Sequence, residues 1–293
     1  MTRPKTVSVV VISRDEGAEL RRTVENLEDT LPDSGEIVVV DDGSRDGSAD
    51  HLSRRRGRVR LKRLRNAGVA KARNYGARQS RGDVVVFADA HIRLPRLWWK
   101  PLVELLEDPK VGGAAPAIKH FSPKVKATGY GLKFKDASLD VDWLAAPGTE
   151  PFAAPILPGC CMAMRRDVVE ATGGWDEGMM VRGNVDNEGC VRFWLMGYDL
   201  MVAPEVAVRH KFRKASPYPI AWPEYLHNRL RLAFAHLNTD RLGKAVGALR
   251  RHHGFGEALA LVVEGNIAAR RNELMATRTR TDDWYFERFG MKW

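Results

Sequence analysis

Asp89 and His91 stand one residue apart in the stretch FADAHIRL, where an apolar run ends. Residues 84–87, Val-Val-Val-Phe, read as a buried strand, and strand alternation sends Asp89 and His91 to one side with Ala90 on the other. A carboxylate and an imidazole on one side of a strand end can hold a divalent cation. The same pair also occurs as an ordinary polar strand exit, so the rest of the chain has to decide. Other acidic residues follow comparable runs: Asp15 and Glu16 come after VSVVVIS, and Asp41 and Asp42 end EIVVVDD.

The elements that must place these residues alternate through the first third of the chain. TVSVVVIS is continuously apolar, as a strand covered on both faces is. EGAELRRTVENLEDTL carries Leu20, Val24, Leu27 and Leu31 at helical spacing. GEIVVVDDGS is a second buried strand, RDGSADHLSRRRG reads as helical, VRLKRL as a short third strand, and AGVAKARNYGARQS as a small-residue helix before GDVVVFADAH. Such alternation predicts a parallel, doubly wound sheet with right-handed crossovers, in which ligands gather beyond the carboxyl ends of the strands. All the acidic pairs fall there. SRDEG after the first strand is neither G-x-G-x-x-G nor a P-loop, which argues against a dinucleotide-dependent dehydrogenase and a P-loop NTPase.

The 293 residues suffice for one large α/β domain with an appendage, and 44% hydrophobic with 29% charged residues is an ordinary globular balance. No apolar run approaches the ~20 residues of a membrane span, and MTRPK lacks the features of a signal peptide. The three cysteines, with Cys160 and Cys161 adjacent, form no disulfide framework, so a reduced, cytoplasmic protein is expected. A formal charge of +10 implies an anionic partner of some kind. From residue 214 onward the chain reads as helices rich in basic and aromatic residues, which gives an expected division into residues 1–213 and 214–293.

VSVVVISRDEG, IVVVDDGSRDGS, NAGVAKARNYGARQSRGDVVVFADAH and GGWDEGM follow one another as in family-2-like glycosyltransferases of the GT-A fold, which this chain resembles over roughly residues 1–213. The implied fold is Rossmann-like, a mostly parallel sheet with helices on both faces, plus a C-terminal helical region. The D-x-H form and the later NEGCVRFWLMGYDLMVAPEVAVRHKFR are most similar to polypeptide N-acetylgalactosaminyltransferases. That resemblance implies Asp89, His91 and His210 as ligands of Mn²⁺ (or Mg²⁺), with an imidazole favouring a transition metal. It implies a UDP-sugar donor, whose diphosphate a divalent cation turns into a better leaving group. By the same resemblance Ser13, Asp15, Glu16, Asp42, Asn66, Gly68, Arg73, Asp89, Gly159 and Trp175 contact the nucleotide-sugar. Gly159 suits close approach, having no side chain.

The resemblance is mixed at the base. Inverting family-2 enzymes place an acidic pair before a helix, and its aspartate deprotonates the acceptor; aligned on Arg192 and Trp194, this chain has Val185–Asp186 there, then Asn187 and Glu188. The N-acetylgalactosaminyltransferases, which retain configuration, have Glu–Asn. Asp186 is therefore expected to be the base of an inverting transfer, with Glu188 the next candidate, and a retaining peptide transferase is the alternative. A sugar-1-phosphate nucleotidylyltransferase would show a Gly-rich basic loop after the first strand, and a basic nucleic-acid-binding protein would lack the acidic strand ends. The expected acceptor is a peptide, a saccharide or a natural product, with no nucleic-acid partner. Residues 223–253 form an amphipathic stretch that either packs on its own domain, serves as an acceptor-side lid, or makes a peripheral membrane contact.

Overall fold

Valine-rich runs build the centre of the molecule, which a computed structural model describes over residues 5–213 and 221–293. The expected boundary at residue 214 lies outside the described residues. Strands β1 (Val7–Ser13), β2 (Glu36–Asp41), β3 (Val59–Arg63) and β4 (Val84–Asp89) pair in parallel in the order β3-β2-β1-β4. Between them run α1 (Ala18–Thr30) and α2 (Val69–Gln79). The predicted helix between β2 and β3 is only a 3₁₀ turn, Asp50–Leu52. Gly47 and Gly57 take positive φ on either side of it, and Asp46 caps the Ser48 amide, so the segment makes turns instead of continuing as a helix.

Beyond β4 the sheet changes direction. Strand β5 (Ile92–Arg93), α3 (Trp99–Leu105), β6 (Val111–His120), β7 (Thr128–Gly129), a hairpin of β8 (Leu132–Phe134) and β9 (Val141–Trp143), then β10 (Phe152–Ala153), β11 (Cys161–Arg165), α4 (Arg166–Ala171), α5 (Val185–Leu195) and β12 (Asp199–His210) complete the sheet-bearing half. The full order is β10-β12-β6-β11-β4-β1-β2-β3, with β11 antiparallel to both β4 and β6 while β12 runs parallel to β6. The sheet is thus mixed, its parallel half being the part with an alternating sequence signal.

Strand β6, VGGAAPAIKH, has no valine-rich signature because its neighbours leave no room for one. A Cβ on Gly113 would sit 2.5 Å from Met164 Sδ, and one on Gly112 2.8 Å from Tyr198 Cβ. Pro116, which donates no ladder hydrogen bond, lies beside the irregularity between Ala203 and Ala207 of β12.

The C-terminal region consists of α6 (Trp222–His236), α7 (Thr239–Leu249), α8 (Phe255–Glu264), α9 (Ile267–Thr277) and α10 (Asp282–Arg288). One set of its side chains joins the sheet-bearing half, and another packs within the region itself. Leu232 and Ala233 of α6, with Tyr285 and Phe286 of α10, share the core that holds Trp194 and Phe193 of α5. Leu226 and Leu230 instead face Ala258 and Val262 of α8. Arg229, Arg231 and His236 of α6 are all buried and engaged inside the protein, whereas Lys244, Arg250, Arg251, His252 and His253 are exposed.

Close approach of α2 to the sheet depends on Gly76, where a Cβ would stand 2.2 Å from Val10 Cγ1 and 3.0 Å from Val40 Cγ2. Gly76→Ala should therefore destabilise the protein by about 1–3 kcal/mol, the usual range for overpacking, despite the better helix propensity of alanine. Denaturant unfolding measures this, with an unchanged slope and a lower midpoint expected.

Candidate active site

The carboxyl ends of β1, β2 and β4 meet in register, Ile12 opposite Asp89 and Ser13 opposite Asp41, and this brings the polar strand ends together. A cleft of about 460 Å³ opens above them, with Glu16, Asp89, His91, Asp186 and His210 in its lining.

Asp89, His91 and His210 converge as the sequence implied. One ligand atom from each lies within 4.8 Å of the others. His210 Nε2 is 3.1 Å from Asp89 Oδ2, and His91 Nε2 is 3.8 Å from the same oxygen. On its far side His91 Nδ1 lies 3.0 Å from Glu16 Oε2. A carboxylate only accepts, so Nδ1 donates to Glu16 and Nε2 is the atom turned toward Asp89, the usual arrangement behind a metal-ligating histidine. Glu16 also accepts from Arg213, which fixes it from the other side. Burial would push the Asp89 carboxyl up. The hydrogen bond from His210 and the charges of His210, His91 and Arg73 outweigh burial and hold it at about 2, so the group is ionised throughout the neutral range. One anionic oxygen and two imidazole nitrogens in this spacing fit a single divalent cation of the Mn²⁺ type.

The remaining acidic strand ends shape the rim. Asp42 Oδ1 and Oδ2 accept from the amides of Ala67 and Gly68, at 2.6 and 2.8 Å, which holds the turn containing Asn66 and Gly68 (φ +88°). Asp41 accepts from the Ser44 amide and from Arg63. Asp15, at φ +52°, accepts from the Arg45 amide at 2.7 Å and binds one loop to the next; Asn66 accepts from Arg14. Asp42 lines the cleft, whereas Asp15 and Asn66 stand behind its lining, and Ser13 is buried with its hydroxyl unpartnered among the described residues.

Arg73 organises the opposite wall. It is 3% exposed; its guanidinium lies 4.6 Å from the centre of the Trp175 ring, donates to the Gly159 carbonyl at 3.0 Å, and pairs with Asp186 Oδ1. Asn74 clamps the backbone of Trp175 in both directions at 2.8 Å. Trp175 is therefore a buried support under Arg73, outside the lining of the cleft. Gly159 is required by contact: a Cβ there would lie 2.1 Å from the Asp186 carboxylate. Asp186, in the first turn of α5, keeps a 32% exposed side chain facing the cleft.

Glu188 points the other way. It is 0% exposed, with Arg192 Nε at 2.8 Å and His236 Nε2 at 2.9 Å on one oxygen and Arg192 Nη2 at 3.2 Å on the other. Burial alone would raise its pKa, but the Arg192 charge and the His236 contact hold it well below the usual carboxylate range. It is not among the cleft-lining residues. Burial pushes the Cys160 and Cys161 thiols up, which leaves them unreactive.

Sequence reasoning did not single out Arg14, Lys211, Arg213, Val181 and Tyr225, all of which line the cleft. Lys211 and Arg213 lay in the quoted VRHKFR, and their alternation with His210 was the available signal. Tyr225 arrives from a helix that carried none.

Comparison with known proteins places this geometry. Residues 8–173, more than half of the chain, match the family described as Glycosyl transferase family 2, and the chain belongs to that family. It is 30% identical, over 97% of its length, to polypeptide N-acetylgalactosaminyltransferase 11 of Xenopus tropicalis, of which it covers 50%. Against polypeptide N-acetylgalactosaminyltransferase 15 of Homo sapiens the identity is 29%, over 78% of this chain and 39% of that protein. The chain thus spans about half or less of these curated relatives. In fold it is similar to a crystal structure of GalNAc-T7 with UDP, GalNAc and Mn²⁺, with a TM-score of 0.77 at 22% identity over 98% of this chain and 57% of that one. The mannosyltransferase PcManGT from Pyrobaculum calidifontis, in complex with GDP-Man and Mn²⁺, gives 0.55 at 20% identity over 94% and 86%. The fold is GT-A, with a helical C-terminal region.

Removing a first ligand and removing its support should differ in degree. His210→Ala and Asp89→Ala should abolish tight Mn²⁺ binding, whereas Glu16→Gln, which only unfixes His91, should weaken it about 10–100-fold. Titration followed by the electron paramagnetic resonance of free Mn²⁺ reads both, and equal affinities in all variants would remove the triad from metal binding.

Proposed function

We propose that this chain is a metal-dependent glycosyltransferase that moves a sugar from a UDP-sugar to an acceptor hydroxyl, with Asp186 as the general base of an inverting transfer. The observation that carries the reading is the Asp89, His91 and His210 triad opening into the same cleft as Asp186. Family membership supports it, as do a relative named for N-acetylgalactosaminyl transfer and a structural neighbour holding UDP, GalNAc and Mn²⁺.

A divalent cation held by Asp89, His91 and His210 would neutralise diphosphate charge and so ease departure of the nucleotide. The cleft's own residues do the rest. Lys211 and Arg213 place positive charge beside the triad, suited to a diphosphate. Arg73 fixes Asp186 Oδ1, so Oδ2 is the atom that receives a proton. In the transfer, the acceptor O–H bond breaks with its proton passing to Asp186. As it does so the acceptor oxygen bonds to the anomeric carbon, and the bond from that carbon to the diphosphate oxygen breaks with its electron pair leaving on UDP. A carboxylate already paired with a guanidinium is best used as bond formation proceeds, when the acceptor proton has become acidic. Glu188, with both oxygens occupied, acts in this reading as the anchor of α5 beneath Asp186.

The relatives are named for a second reading, transfer of N-acetylgalactosamine to a polypeptide, for which the resemblance implies retained configuration. One experiment separates the two. Asp186→Asn keeps the volume and removes the base, so donor binding should survive while kcat falls about 10²–10⁴-fold. Nuclear magnetic resonance of the fresh product should show an inverted anomeric centre. A retained centre, or normal turnover by the variant, would remove Asp186 from the role. No transfer or hydrolysis across a panel of nucleotide sugars with Mn²⁺ would overturn the proposed activity itself.

A further inference from the structure

One wall of the cleft is backbone with little structure of its own. Residues 180–183, Met-Val-Arg-Gly, belong to no helix or strand, yet Val181, Arg182 and Gly183 line the cleft. The segment leads through Asn184, in left-handed conformation, into the first turn of α5 and Asp186. On one side its Val181 carbonyl accepts from the Val69 amide at the start of α2, at 2.9 Å. On the other it rests on one side chain of the C-terminal region.

That side chain is Asn228 of α6, 0% exposed. Its amide oxygen accepts from the Met180 amide at 2.7 Å. Its amide nitrogen donates toward the carbonyls of Met180 at 2.9 Å, Arg182 at 3.1 Å and Gly183 at 2.9 Å. A carboxamide supplies one acceptor and two hydrogens in a single plane, and three carbonyls share those hydrogens here. No other side chain of this size offers both. The Met180 N–H, which can only donate, fixes which way the amide is turned, and His227 Nδ1 lies 3.0 Å from the same oxygen.

Two neighbours on the same face of α6 act beside it, Arg231 on residues 176–178 just upstream and Tyr225 on Gly183. Arg231 grips Asp176 through two bonds of 2.7 and 2.9 Å, with both side chains buried, and a Cβ on Gly178 would strike its guanidinium at 2.2 Å. Tyr225 lines the cleft and fills the space where a Cβ on Gly183 would lie, at 2.4 Å. Tyr225, Asn228 and Arg231 recur every three residues, which sets them on one helical face.

We propose that Asn228 is a positioning residue of the active site: it fixes the backbone of residues 180–183, and through that segment the aim of Asp186, so that α6 is part of the catalytic unit. The proposal rests on reading the cleft as the site of sugar transfer. Asn228 touches neither donor nor acceptor; it acts through the wall it holds.

The test uses the full chain carrying Asn228→Asp, which keeps the volume and the acceptor for Met180 but turns a carboxylate toward three carbonyls, and Asn228→Ala, which removes both functions. Hydrogen exchange should accelerate about 10-fold or more at the amides of residues 180–184 while β1 and β4 stay as protected as in the parent. Mn²⁺ affinity at the triad should be unchanged. Turnover should fall about 10²-fold in kcat with little change in KM for the donor, as expected when a reacting group is misaimed and binding is left intact. Exchange unchanged at residues 180–184 would overturn the proposal. So would exchange raised evenly over the whole sheet, since that marks a fold defect only. If the Ala variant does not fold, the Asp variant gives the same decision. Should the parent protein transfer no sugar, the reading of the cleft falls, while the exchange measurement still judges what Asn228 holds.

Discussion

A guanidinium taken out of water has to be met by charge, hydrogen bonds and aromatic surface, or the burial is prohibitive. Arg73 meets that demand at both terminal nitrogens and over its face, though not at Nε, with parts drawn from three separate stretches of chain. The carbonyl comes from the approach to β11, the carboxylate from the start of α5, and the ring from the loop after α4. Satisfying one side chain therefore fixes the relative positions of the elements that surround the cleft. The charge also reaches Asp89, helping to keep it ionised for a cation. Geometry and electrostatics of the site are consequences of the same burial.

Around this centre the acidic residues divide by what they accept from. Asp15, Asp41 and Asp42 accept from loop amides, Asp176 from Arg231, and Glu188 from Arg192 and His236. Asp89 and Asp186 line the cleft, together with Glu16 and Asp42, whose oxygens are engaged by His91 and Arg213 and by the Ala67 and Gly68 amides. The loops are thus ordered before any ligand arrives. Binding then has less conformational entropy to remove than it would with a floppy rim.

How much of this was legible in the sequence follows from how local each signal is. The parallel strands β1, β2 and β4 announced themselves because both faces are covered and nearly every position wants a branched apolar residue. The triad was legible because D-x-H and VRHKFR carry their chemistry in a few adjacent residues. Strand β6 was not, since its small residues answer to Met164, Leu200 and Tyr198, which are distant in sequence. The occupations of Glu188 and Trp175 were equally hidden. A glutamate four residues before an arginine on a helix is common, and nothing in NEGCVRFW says that His236 will close over it. The helices after residue 220 showed their amphipathic spacing, but Asn228 in the middle of LHNRL gave no sign that its amide would face a loop 45 or more positions away.

Gly159 has a consequence for what sequences can share this site. Every amino acid other than glycine carries a Cβ, and at this position that atom would overlap the carboxylate of Asp186, the second residue of α5. The position therefore has no neutral neighbour in sequence space. A lineage that lost this glycine would have to move or discard Asp186 in the same step, so the two residues can only drift together, and a chain that keeps one has reason to keep the other.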